Sequence, residues 1–467
     1  MISRLIKFVR NFKKDRQGNL LLFALVFGTI SFTIVITGIS GYAIYENKAS
    51  IYKHNREQAF QIAEAGINYY RWHLAHNKTD YYDGQGATST GPYVHDYYDK
   101  DGNLIGYYSL NIVAPLSGST VVTVSSTGWI KDQVNSKRTI QARLGFVSLT
   151  DYAFLSNTDV WIGDNEIIHG KFHANGGIRF DGTGDAPITS AKETYYCQAV
   201  HGSGCNNTLK PGIWGDGEPQ TYWDFPVPAF DFDVVTSKLA DIKDGAEESG
   251  IYLTSSGLQG WRLRFDANGK VYARKVYSTT CYNGKSVEDK HFNSYCVDID
   301  SYDENPETEY NIPANGYIYV EDTVWVDGTV KGRATIGTSV GKSIIINGNI
   351  LYDSKDGTNV LGLIAKQDIL IPKESPNELE INAAVLAQNG SAQRYYYSGD
   401  MKDEITTYGS VITNGIWTWS WVTGGGSVVS GYRYTNSTYD ANLTYNPPPG
   451  FPVGNEYNLL SWEEVEY

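Results

Sequence analysis

The chain has 467 residues, enough for about two to four domains. Hydrophobic residues make up 41% and charged residues 19%, with 48 Gly and 36 Tyr against 2 Met; this balance suits a β-rich body and speaks against a helical bundle. Formal net charge is −14, but the first 18 residues hold Arg4, Lys7, Arg10, Lys13, Lys14 and Arg16 against Asp15, which leaves −19 on the remainder, and so acidic a surface argues against nucleic acid as a partner.

In chain order, residues 1–18 read as a basic leader. From Asn19 to Tyr45 no side chain is charged, and Leu, Ile, Val, Phe and Ala dominate. About 20 such residues cross a bilayer as a helix, and the stretch is too long for the core of a secretory signal peptide. The next segment has no proline, and its only glycine is Gly66. Ile51, Phe60, Ile62, Ala63, Ile67, Tyr70 and Leu74 recur at helical spacing. The two parts predict one helix over 19–78, about 85 Å long at 1.5 Å per residue, with an apolar first half and an aqueous second half. The basic tip keeps the N-terminus cytoplasmic and exports everything after Tyr45.

Residues 79–148 alternate apolar and polar side chains between turn signals and predict a small β head against the exported helix. Asp99, Asp101 and Asn103 read as a hairpin turn rather than a calcium loop, because the closing Glu is missing. "FDANGKVYARK", from Phe265, reads the same way. From about Phe154 short β-branched runs meet Gly or Asn corners. Val160-Trp161-Ile162 echoes Val324-Trp325-Val326, and His169-Gly170 echoes Lys331-Gly332. Runs centred on Ile345, Leu363, Leu370, Val385 and Val411 predict short, inward-buried strands. Residues 149–190 and 317–430 are therefore expected to form a right-handed β-solenoid, with a β-sandwich as the alternative. Residues 191–316 read as an inserted lobe, and residues 431–467 as a Pro-rich tail with a closing strand.

All four cysteines fall in the insert: Cys197, Cys205, Cys281 and Cys296. None has the spacing of a zinc site, so two disulfides in an oxidising compartment are expected. The simplest pairing is 197–205 and 281–296, with other pairings open. No catalytic motif is present. His173, beside Asn175, reads as a hydrogen-bonded corner residue rather than a base. No catalytic residue, metal or cofactor is assigned.

The opening also resembles a known family. "RQGNLLLFALVFGTISFTIVITGIS" followed by "REQAFQIAEAGINYYRWHLAHN" is similar to the type IV pilus assembly PilX N-terminal region, over roughly residues 10 to 78. The matching residues are Gly18, before the expected cleavage at Gly18–Asn19, and Ala59, Phe60, Ala63, Glu64, Ala65 and Gly66. In that family a glutamate usually stands five positions into the mature chain. Here that position is Phe23, and a helix without the buried carboxylate rests more easily in lipid. The resemblance implies a prepilin peptidase as processing partner, other pilin-like subunits as assembly partners, and helix packing through the small residues at 59–66. The fold class expected is α+β, mostly β, with a single-pass anchor in the inner membrane and a body in the periplasm or at the cell surface. The expected function is a non-enzymatic, minor-pilin-like assembly component. The alternatives are a tethered adhesin that binds a surface glycan or protein, and a β-helix enzyme acting on polysaccharide.

Overall fold

The computed structural model describes residues 2–115, 119–232, 238–289 and 291–465. The chain divides into two compact units: Met1–Ile112 with Val124–Ala142 and Ser461–Tyr467, and Val113–Thr123 with Arg143–Leu460.

The first unit is built on α1, Ile2–His76, 75 residues without a break. It starts earlier than the sequence suggested, because residues 2–17 contain no Pro or Gly and consist mainly of helix-compatible Leu, Ile, Lys, Arg and Phe. The backbone helix runs through Gly18–Asn19, whose side chains lie outside the described set. In the apolar half Thr29, Thr33 and Thr37 donate their hydroxyls to the carbonyls of Val26, Thr29 and Thr33, at 2.9, 2.7 and 2.7 Å. These polar groups are thereby satisfied within the helix.

The accompanying sheet has the order β1 (Tyr93–Tyr98), β2 (Leu104–Val113), β3 (Val121–Ile130), β4 (Gln133–Ser148), then the C-terminal strand Val453–Val465. β1 and β2 are antiparallel. Between them Asp99 Oδ1 accepts from the N–H of Asp101 (2.9 Å) and of Asn103 (2.8 Å), so this carboxylate holds a turn.

The second unit consists mainly of parallel ladders. Ile251, Ile318, Ile336, Leu363, Val385, Val411, Phe154, Phe172 and Ile188 are register partners in succession. All nine are buried in one apolar core. Chain order breaks once along this column: Phe154 stacks on Val411, so residues 154–190 continue the wall formed by residues 317–413. A second column runs Trp261, Val324, Ile344, Ile369, Ala392, Trp417. Identical registers on successive rungs let each apolar residue bury against the one above.

Residues 191–316 do not stand wholly apart from this body. Ile251–Leu253 and Gly260–Phe265 pair in parallel with Tyr317–Val320 and Val324–Val330, because their alternate residues complete the same core. Lys270–Gly284 and Asn293–Tyr302 form an antiparallel pair. Ile345 and Leu370 face the opposite way from Ile344, Ile346, Ile369 and Ile371, which sit in the main core. Ile345 and Leu370 are buried with Val276, Val297, Trp325, Tyr395 and Tyr397. A strand has two faces, and this one is covered by the antiparallel pair. α2, Lys238–Ser249, buries Leu239, Ile242 and Ala246 with Tyr319 and Ile364. In the tail, Arg333 donates to the carbonyls of Asn446 (3.0 Å) and Pro447 (2.5 Å).

Candidate functional site

α1 changes character along its length. From Leu20 to Tyr45 every side chain is exposed except half-exposed Ser31. Phe23, at the position where the resembled family has glutamate, is 74% exposed. This helix is long and apolar enough to cross a membrane.

Burial starts at Ala59. Ala59, Ile62, Ala63, Gly66, Ile67, Tyr70 and Leu74 are all buried. Their spacing of three and four places them on one helix face. Ile51, expected on that face, is exposed. The small residues bring the helix against the chain's own β3. A Cβ on Gly128 would lie 2.3 Å from the Ala59 carbonyl oxygen and 2.4 Å from the Ala63 nitrogen. A Cβ on Gly66 would lie 2.2 Å from Ser126 Oγ and 2.8 Å from the Tyr108 ring. In this chain Ala63 and Gly66 let α1 sit close on its own sheet. Ala65 is half-buried and Glu64 is exposed, on the side away from that contact. Phe60 packs edge-on against Trp462 at 5.6 Å, with the Arg138 guanidinium 5.3 Å from its ring centre. Arg138 forks onto the Glu464 carboxylate. At the end of α1 the Tyr70 hydroxyl donates to the Asp80 carbonyl (2.8 Å), and His73 Nε2 meets the Asp80 carboxylate at 3.0 Å.

In the second unit His173 is 4% exposed. Its Nδ1 pairs with Thr189 Oγ1 at 2.9 Å and its Nε2 with Asn175 Oδ1 at 3.0 Å. Burial lowers its pKa. With both nitrogens engaged it is a structural corner residue. Cys197 is bonded to Cys205 and Cys281 to Cys296. Among the described residues no group of three or more His, Cys, Asp or Glu is placed to hold a metal ion.

A cavity of about 440 Å³ was not legible in the sequence. It is lined by Val160, Trp161 and Glu166, by Ala199–Gly202 inside the 197–205 disulfide loop, by Lys285–Val287 inside the 281–296 loop, and by Ile416–Gly424 apart from Trp419. Its parts come from four stretches far apart in sequence, so no linear motif marks them. The Trp161 indole N–H donates to Asp181 (2.9 Å), and the Arg179 guanidinium lies 4.5 Å from the Trp161 ring centre. Arg179 also donates to the His201 carbonyl (2.7 Å), which ties the first loop to this wall. The Trp421 indole N–H donates to the Arg394 carbonyl (2.8 Å). Desolvation pushes the Glu166 carboxyl up to about 8; the Gly163 N–H opposes this and Asp164 adds to it.

No family model and no curated protein matches the chain. Among solved structures, the competence-associated pilin ComZ from Thermus thermophilus overlays 88% of this chain and 97% of its own, at 14% identity and a TM-score of 0.30. So slight a likeness does not carry a shared fold.

Proposed function

We propose that the protein is a pilin-like, pilus-associated subunit, held in the inner membrane by Asn19–Tyr45 and presenting its β body outside, with no enzymatic role. The observation that carries this reading is the two-part α1. Its first half is uncharged and exposed, while its second half is clamped onto the chain's own five-stranded sheet. A plain anchor needs only the first half. A subunit that moves from lipid into an assembly needs the head fixed rigidly to the same helix. The motif resemblance at Gly18 and at Ala59–Gly66 supports the same reading, as does the basic cluster before Asn19. Prepilin peptidase would cleave after Gly18, and pilin-like subunits would then pack against the exposed half. The stacked parallel ladders are read as the coils of a solenoid.

Mass spectrometry of the protein from its native membrane tests this. A mature N-terminus at Asn19, with recovery in membrane or sheared filament fractions, is expected. An uncut N-terminus, or a cut after the apolar run near Ser40, overturns the pilin-like reading.

A further inference from the structure

We propose that the cavity in the second unit binds an uncharged oligosaccharide, with room for about two sugar rings.

The cavity exists because one wall is interrupted. On the first column the rungs are continuous, since Val411 pairs directly with Phe154. The second column ends at Trp417–Thr418. Val160–Ile162 instead begins a separate three-stranded sheet with Ile178–Phe180 and Ile213–Trp214. Both sides of the interruption, Val160–Trp161 and Ile416–Thr418, line the cavity. A core that simply needed filling would close this gap with side chains.

The walls are stiffened. Each disulfide closes one lining loop, across 8 and 15 residues. Ser203, within the first loop, bonds the Gly424 carbonyl through its N–H (2.9 Å) and hydroxyl (2.5 Å). Val287 N–H, in the second, donates to Gln393 Oε1 (3.1 Å). Walls fixed before binding reduce the ordering cost that otherwise weakens a small ligand.

The lining chemistry selects the ligand. The partly exposed Trp161 and Trp421 offer indole surface, and the polarised C–H bonds of a sugar ring rest on an electron-rich ring face. Thr418, Ser420 and Thr423 supply hydroxyls that can donate or accept. His201 is 7% and Trp417 5% exposed. His201 Nδ1 and the Trp417 indole N–H have no hydrogen-bond partner among the described residues. Buried polar groups left in that state are costly. Acidic sugars are disfavoured. No arginine lines the cavity, Asp159 does, and the Lys285 ammonium lies 4.3 Å from the Phe292 ring centre. The volume falls in the lower part of the range for small-molecule sites.

The test uses the full chain in detergent and saturation-transfer NMR. The probes are chitobiose and cellobiose, with a galacturonic-acid disaccharide and a short extended peptide as contrasts. Transfer to a neutral disaccharide is expected. Trp421→Ala should weaken it about tenfold, as loss of an aromatic platform does. Val200→Arg fills the mouth from a residue that is 55% exposed. It should abolish the signal without changing thermal unfolding. The proposal is overturned if neither neutral sugar binds at millimolar concentration, if Val200→Arg binds as the parent does, or if the acidic sugar or the peptide is preferred. The membrane-anchor reading is independent of each of these results.

Discussion

Gly128→Ala probes the contact that joins α1 to its sheet. The added methyl would sit 2.3 Å from the Ala59 carbonyl oxygen, 2.4 Å from the Ala63 nitrogen and 3.0 Å from its Cα, where ordinary contact begins at 3.4 Å. All three atoms are helix backbone, so no side chain can rotate out of the way. Relief requires the helix to back away by about 1 Å, and a gap of that size forfeits up to half of each dispersion contact. The contacts affected are those of Ala59, Ile62, Ala63, Ile67 and Tyr70, all buried. Overpacking typically costs about 1–3 kcal/mol. With rigid backbone on both sides we expect about 3 kcal/mol, a roughly hundredfold loss of amide-exchange protection. Hydrogen–deuterium exchange of the full chain in detergent reads this on peptides covering 59–74 and 121–130, with 360–365 in the second unit as internal reference. Gly66→Ala should be milder. It meets side-chain atoms of Ser126 and Tyr108 that can shift, and replacing a helical Gly by Ala returns about 1 kcal/mol. Unchanged protection in both peptides of Gly128→Ala would refute the close helix–strand contact.

Two further outcomes can be measured. The Glu166 carboxyl holds its proton up to about pH 8, against an ordinary value of 4.5. Between these values the folded state binds more protons than the unfolded one, so its contribution is complete at low pH and is lost as pH rises towards and past 8. Glu166→Gln should be near-neutral at pH 5 and stabilising at pH 9, read by exchange in 428–439, whose Thr435 is the register partner of Glu166; equal effects at both pH values would exclude the raised pKa. Replacing Cys281 and Cys296 by Ala removes a bridge across 15 residues and should cost about 3 kcal/mol in denaturant unfolding, while alkylation of four thiols in the non-reduced protein would exclude both bridges.

The local signals in the sequence were strong where one periodicity ran long. The uncharged run from Asn19 to Tyr45 and the three-four spacing from Ala59 to Leu74 determine a helix with two environments, because a helix depends only on neighbours a turn away. Short β-branched runs around Leu363, Val385 and Val411 likewise announce buried strands, and the cysteine spacing suggests the short-loop pairing found. Other features depend on which distant segments meet. Small residues at 63 and 66 do not say by themselves what they face; only the tertiary structure sets Gly128 against Ala63, and Ser126 and Tyr108 against Gly66. The runs around Ile345 and Leu370 are buried as expected, but that these two side chains are covered as well depends on residues 270–302 packing over the strands' other face. Phe154 stacks on Val411 across 257 positions of sequence, which no local pattern encodes. The cavity follows from that same closure: one column pairs across the junction and the other does not. A gap between strands is a property of their placement, so it becomes visible only once the tertiary structure has set every rung.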